Sequence, residues 1–574
     1  MHYTFRFPNR PSRYADITLR VDGVDAATVQ FHLPSWRPGR YERGNFAKNV
    51  RKWKAYGPHG EELKSWKSSS HTWNVATQGV DSVTVRYEYY CAQPDAGACW
   101  IDEELVYINP VHCCLYLIER MHEPCTLELE LPDGMQIACS MNSPAYGVFE
   151  ATDFHELVDS PFMAARAIDR RSYDVHGTRF HVWLYGKSEP DWSRILHDFS
   201  AFSRVQIDTM GGLPVDEYHF LVLLLPYRFY HGVEHLRSTV LALGPGHELM
   251  ESAIYDDFIG VASHELFHVW NVKCIRPADL LPYDYASENY SRLGYVYEGV
   301  TTYYGDLFLA RSGFFPVDRY LEEIDLRLKK HFDSYARLHM SVAEASFDTW
   351  LDGYVPGAPH RKTSIYDEGS VLALMTDLLI RRSSGDRYSL DDVMRTLFND
   401  FGKKEHGYTE ADYRSVIEQF AGSSLIDFFS DFIHGTVPVE PHLQELLDHV
   451  GCQLVREPTV IHHERRFGFR VMGENGRFKV TSVLPGSPAD QAGLAKDDEI
   501  VAVNDEQPES ELADFFKQHG RGERLSVQTP MKRMRELLLV EDGANYFPVW
   551  TVKRKKEASA VQRDSFLSWT GQQW

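Results

Sequence analysis

Five consecutive residues, His264-Glu265-Leu266-Phe267-His268, carry the most specific chemistry in this chain. A helix turns once per 3.6 residues, so imidazoles at i and i+4 leave from one face and reach one metal ion. Glu265, beside the first, is placed to take a proton from a water molecule as general base. The flanks Ile259-Gly-Val-Ala-Ser263 and Val269-Trp-Asn-Val272 are apolar, which predicts a buried helix. Two imidazoles and a carboxylate buried there need partners, and a metal ion supplies one. A catalytic zinc takes three protein ligands and keeps one position open for water. Glu298 is the third candidate, a single glutamate among the aromatics of a second predicted helix, Leu293-Gly-Tyr-Val-Tyr-Glu-Gly-Val-Thr-Thr-Tyr-Tyr-Gly-Asp-Leu307. One zinc ion per chain, held by His264, His268 and Glu298, is the expectation. Thr302 and Tyr303 are candidates for steadying a ligand by hydrogen bonding. The look-alike His247-Glu248-Leu249-Met250-Glu251 lacks a second histidine and is expected to bind nothing.

His264–His268, Asn271-Val-Lys-Cys-Ile-Arg-Pro277 and Tyr297-Glu-Gly-Val-Thr-Thr-Tyr-Tyr304 together resemble the glycyl aminopeptidases, PDZ-bearing gluzincin metallopeptidases. Leu33-Pro-Ser-Trp-Arg-Pro-Gly-Arg-Tyr41, with Asn45-Phe-Ala-Lys-Asn49, is similar to the N-terminal domain of that family. Tyr366-Asp-Glu-Gly-Ser370 and Leu378-Leu-Ile-Arg381 resemble its later helix. The resemblance implies that the Tyr366 phenol helps hold the oxyanion of a tetrahedral intermediate. It also implies that Glu234, in His231-Gly232-Val233-Glu234-His235, binds a free α-amine, with Gly232 on the same substrate-binding stretch. Here His231 stands where the family has the first of two glycines. The implied activity is a zinc aminopeptidase acting on peptides with a free N-terminus and removing small first residues, glycine or alanine. Two other readings compete: an endopeptidase of the same fold, and a non-catalytic PDZ-bearing adaptor or chaperone. Retention of both histidines and both glutamates stands against the adaptor.

At 574 residues the chain exceeds a single core. A multidomain α+β protein is expected. Residues 1–165 form a β-rich domain, with strands at Ala15–Val21, Thr28–Leu33, Val83–Tyr90, Cys114–Glu119 and Thr126–Leu131. Residues 166–310 form a thermolysin-like catalytic domain, opening on strands Arg179–Tyr185 and Tyr218–Leu225. Residues 311–453 form a helical lobe, with capping boxes at Ser389/Asp392, Thr409/Asp412 and Ser424/Asp427. Residues 454–555 resemble a PDZ domain through Phe467-Gly-Phe-Arg470, Val480–Leu494 and Asp497–Asn504. That likeness implies a C-terminal peptide added as a strand, its carboxylate on the backbone amides at Phe467, Gly468 and Phe469. The alternative is a PDZ fold that only packs on the catalytic unit. The tail 556–574 folds back or frays, and its terminal Trp574 offers contact to a sister domain or to a second copy in a homo-oligomer.

Composition is that of an ordinary globular protein, 43% hydrophobic and 25% charged. A net charge of −22 argues against nonspecific nucleic-acid binding and against docking on anionic lipid. The N-terminus has no apolar signal core, and no apolar run reaches the roughly 18 residues of a membrane span. A cytoplasmic protein with reduced thiols is the expectation. Six of the eight cysteines lie between Cys91 and Cys139, so a disulfide there stays open.

Overall fold

The computed structural model describes residues 1–574 except 353–356, 475–476, 509–511, 513–515 and 517–521. The chain is a multidomain α+β protein. Strands Tyr14–Asp22 and Ser82–Tyr90 alternate buried and exposed side chains, the period-two pattern of a sheet with one face in a core. They pair antiparallel from Tyr14↔Tyr90 to Asp22↔Ser82 inside a seven-stranded sheet. A four-stranded and a three-stranded sheet complete the β-rich N-terminal part. The strand expected at Cys114–Glu119 does not form. Residues 113–117 are all buried, so they lack the alternation of a one-faced strand, and only Tyr116 bridges to His32 before a turn at Ile118–Arg120.

A five-stranded sheet follows, in the order Asp169–Val175, Thr178–Tyr185, Glu217–Leu224, Ser238–Gly244, Phe229–Glu234. The last of these is an edge strand, antiparallel to its neighbour. Helices Trp192–Met210 and Ser252–Phe267 pack together, the second also against the edge strand. Beyond a widened helical turn at Tyr295–Val300 the chain becomes helical, with Thr301–Arg311, Val317–Asp333, Asp367–Ser384, Leu390–Asp400 and Glu410–Ala421. The boxes at Ser389/Asp392 and Thr409/Asp412 form. The one expected at Ser424/Asp427 does not: Glu418 reaches across to accept the Leu425 N–H at 2.8 Å, and only a three-residue helix follows.

Strands Cys452–Glu457 and Val549–Arg554 pair as a ribbon, the second lying on helix Val317–Asp333. Between them is inserted a five-stranded sheet with its own core of Phe467, Phe469, Val480, Ile500, Leu525 and Leu539. Phe467 and Phe469 are fully buried there. Gly468 adopts φ +74°, and its N–H closes the preceding helix on the carbonyls of His463 and Glu464. The Gly468 amide of the expected carboxylate loop thus makes hydrogen bonds inside the domain. The chain then returns as helix Ala560–Thr570, placing a fully buried Trp569 whose Nε1 donates to Tyr303 Oη at 2.9 Å. Among the described residues no helix is long and apolar enough to cross a membrane.

Candidate active site

His264 lies in the last turn of helix Ser252–Phe267, and His268 caps it. Their Nε2 atoms stand 3.1 Å apart, and Glu298 Oε2 lies 4.0 Å from the first and 3.5 Å from the second. Metal–ligand bonds of about 2.0–2.2 Å at tetrahedral angles separate ligand atoms by roughly 3.3–3.5 Å, so this triangle fits one such ion. Glu298 reaches it from the widened turn that feeds helix Thr301–Arg311. Gly299 on that turn meets Gly369 backbone to backbone, where any Cβ would overlap. That contact brings Tyr366, at the start of helix Asp367–Ser384, close enough to hydrogen-bond the Glu298 carboxyl.

The ring of His268 is oriented by Nδ1, which donates to the Asn271 carbonyl at 2.7 Å and leaves Nε2 as the ligand atom. Asn271 sits in a non-helical kink, tied down by its side-chain amide to Val296 O and Thr301 Oγ1. Thr302 lines the cleft with its hydroxyl unpartnered, and the Tyr303 hydroxyl donates to Asp377. Asn271 and Thr301 therefore do the work considered for Thr302 and Tyr303. The signal was available, since Asn271 follows His268 by three residues.

Glu265 is buried with Oε2 unpartnered, and Glu234 is buried with Oε1 unpartnered. Burial and the neighbouring Glu234 and Glu298 outweigh His268 and push the Glu265 carboxyl up to about 8. Burial opposes charge on His268, yet the Glu298 contact overrides it and pushes the imidazole up to about 10. A divalent cation beside Glu265 and Glu298 would favour their charged forms. Gly232 faces Glu265, and a Cβ there would overlap its carboxyl. The cleft over these residues is about 810 Å³.

Its far wall comes from the N-terminal domain. Arg37, Gly39 and Arg40 line the cleft, and a Cβ on Gly39 would overlap the Glu234 carboxylate. Sequence reading connected Leu33–Tyr41 with the N-terminal domain but placed none of its residues at the site. A second cluster, His181, Glu217 and His219, brings ligand-type atoms together elsewhere. There His181 Nδ1 accepts from Arg170 and His219 Nδ1 accepts from Trp183. Both Nε2 atoms therefore carry hydrogens, which disfavours a metal.

Sequence comparison decides the family. The peptidase M61 N-terminal domain matches residues 2–166, the M61 glycyl aminopeptidase matches 257–372, and a PDZ domain matches 479–523. The chain belongs to the M61 glycyl aminopeptidase family. It is thus a metallopeptidase, with His264, His268 and Glu298 as its candidate metal site. The M61 fold also matches the crystal structure of an aminopeptidase N family protein from Idiomarina loihiensis, with a TM-score of 0.91 and 24% identity over 99% of both chains. An M1 zinc metallopeptidase from Deinococcus radiodurans aligns more loosely, with a TM-score of 0.44 and 15% identity over 76% of this M61 chain and 94% of that one. No curated protein matches.

Proposed function

We propose that this M61 member is a zinc aminopeptidase that removes a small first residue, glycine or alanine, from peptides. The observation that carries this reading is a buried, half-unpartnered Glu234 that lines the cleft with Gly39 against its carboxylate. A peptide ammonium satisfies Glu234, and Gly39 leaves no space for a Cβ between the N-terminal loop and that carboxylate. His264, His268 and Glu298 would hold one zinc ion. When bound, zinc supplies Lewis acidity toward the carbonyl oxygen and lowers the pKa of a water molecule. Glu265 takes the proton released as water attacks the first carbonyl, then delivers it to the departing nitrogen. Tyr366 donates its phenolic hydrogen to the oxygen that gains charge. Glu234 fixes the ammonium, so the first peptide bond alone stands in register.

The test is a set of glycyl, alanyl and leucyl anilides, free and acetylated, assayed with and without chelator beside elemental analysis of the protein. Glycyl and alanyl substrates with free amines are expected to be cleaved, and chelation to abolish turnover with release of about one zinc per chain. Glu265→Gln is expected to lower kcat by about 10²–10⁴-fold. Glu234→Ala should erase the preference for free over acetylated substrates. Equal cleavage of both by the wild-type protein would make it an endopeptidase.

A further inference from the structure

The cations that line the cleft are not alike. Arg40, Arg228, Arg319, Arg327 and Lys330 each have a carboxylate within 4.0 Å. Arg37 has none among the described residues, although it is only 4% exposed. Among the described residues its guanidinium makes one hydrogen bond, from Nη1 to the neighbouring Pro38 carbonyl at 3.0 Å. The guanidinium lies flat on Gly97, where a Cβ would overlap it. That surface is rigid: Gly97 N–H donates to Asp95 Oδ1 at 2.8 Å, and Tyr107 Oη donates to the Ala96 carbonyl at 2.5 Å. Asp95 Oδ1 also lies 3.9 Å from His231 Nδ1. The cradle holds a planar cation in place, with Asp95 behind Gly97 rather than in ion-pair contact with it. A buried guanidinium left unpaired is costly, and its fork of donors matches a carboxylate.

Its position along the cleft narrows the ligand. Asp95 ties the cradle to His231, which precedes Glu234 by three residues on the edge strand. Arg37 and Glu234 thus line one cleft, in which a peptide that holds its ammonium at the second can present an anion to the first. We propose that Arg37 receives a carboxylate of the bound substrate, so that the cleft grips a peptide by its ammonium at Glu234 and by an anion at Arg37. This rests on the aminopeptidase reading of Glu234. The carboxylate has two sources, the C-terminus of a di- or tripeptide and an acidic side chain at the second or third position.

The experiment compares wild-type protein with Arg37→Gln and Arg37→Lys on two matched substrate sets. One set is Gly-Gly and Gly-Gly-Gly against their C-terminal amides. The other is Gly-Asp amide against Gly-Asn amide. The acid-to-neutral ratio of kcat/KM is expected to fall about 10- to 100-fold in Arg37→Gln for one set, with partial return in Arg37→Lys. The set that responds names the source. A uniform loss on acids and neutrals alike, or ratios that do not move, overturns the proposal. Calorimetric binding of the same peptides to Glu265→Gln, alone and combined with Arg37→Gln, needs no turnover. Failure of Gly-Gly to bind at all sinks the aminopeptidase reading together with this one. Binding in which acid and amide lose affinity equally sinks only the role of Arg37.

Discussion

The N-terminal and PDZ domains both border the catalytic unit, but they are joined to it by different physics. The N-terminal domain shares one continuous hydrophobic cluster with the catalytic helices. Trp36 is fully buried, donates to the Asp284 carbonyl at 2.7 Å and stands edge-on to Trp350. The PDZ sheet has a separate core and touches the catalytic helices through polar contacts. Arg470 pairs with Asp333 at 2.6 Å, and His360 Nε2 meets the Val483 carbonyl at 2.9 Å. A shared core fixes positions to fractions of an ångström, whereas a polar seam fixes only orientation. That is why one neighbour delivers Arg37 and Gly39 into the cleft and the other delivers nothing to it among the described residues.

The largest effect should come from the polar pin that crosses the shared core. Asp159, from the N-terminal part, accepts from Lys273 at 2.7 Å, from the Leu236 N–H at 2.8 Å and pairs with His235 at 3.1 Å. Burial would raise this carboxyl, but Lys273 and His235 hold it well below the usual carboxylate range. Asp159→Ala strands a buried lysine and is expected to cost about 3–5 kcal/mol in urea unfolding. Lys273→Met added to it should recover much of that loss. The sign with pH follows from the depressed value. The contribution is full above the unfolded aspartate pKa of about 3.9 and disappears as pH falls below it, because the unfolded chain then binds the proton first.

Separate cores predict separate melting. Each core also buries a neutral histidine. Burial lowers His112 to about 4 in the N-terminal domain and His463 to about 4 in the PDZ domain. An unfolded histidine titrates near 6.5, so between 6.5 and 4 the unfolded state holds the extra proton and stability falls as pH falls. Calorimetry is expected to resolve two transitions, each losing on the order of 3 kcal/mol across that window. His112→Gln should lessen the dependence of the first, where burial also lowers His219 and His231, and His463→Gln should flatten that of the second. A single transition that responds to both substitutions would mean that the two cores act as one.

The next test asks whether the shared core matters for chemistry. Gly39 and Gly60 both hold positive φ, at +76° and +83°, but a Cβ meets the Glu234 carboxylate at the first and open space at the second. Either change to alanine carries about 1–2 kcal/mol of backbone strain. Only Gly39→Ala should displace Glu234, the proposed amine site, lowering kcat/KM on glycyl anilide by about 100-fold. Equal kinetics in the two variants would remove the N-terminal loop from the active site.

What could be read in the sequence follows the same division. His264, Glu265 and His268 were legible because a helix converts spacing of four into a shared face. Glu298 was legible as an isolated carboxylate among aromatics, although the widened turn that aims it was not. The PDZ domain was legible from its own short-range motifs. Arg37 and Gly39 were not placed, because Arg37 meets Gly97 and Gly39 meets Glu234 across long stretches of sequence with no periodicity to announce it. Asp159 was missed for the same reason. Trp569 illustrates the converse: an ordinary-looking tail residue becomes core once Tyr303 and helix Val317–Asp333 surround it.

The smallest effect belongs to the seam. Arg470 and Asp333 are each about one-fifth exposed, at 22% and 19% of the side chain. Removing Arg470 does not strand Asp333, because Lys329 lies 2.8 Å away and remains as counter-charge, but it takes a donor from Glu464, 3.0 Å from Arg470 Nε. Arg470→Ala is therefore expected to cost about 1–2 kcal/mol. It should speed hydrogen exchange in strand Phe469–Glu474, which the bidentate pair holds against helix Val317–Asp333. Turnover of glycyl anilide should change less than about twofold, since a factor of two is only ~0.4 kcal/mol of barrier. That helix also lines the cleft through Arg319, Glu323 and Arg327 and holds Asp367, the residue after Tyr366. A tenfold loss of kcat with KM unchanged would therefore mean that the seam transmits force along the helix to the phenol, and the PDZ domain would join the N-terminal domain as part of the machinery.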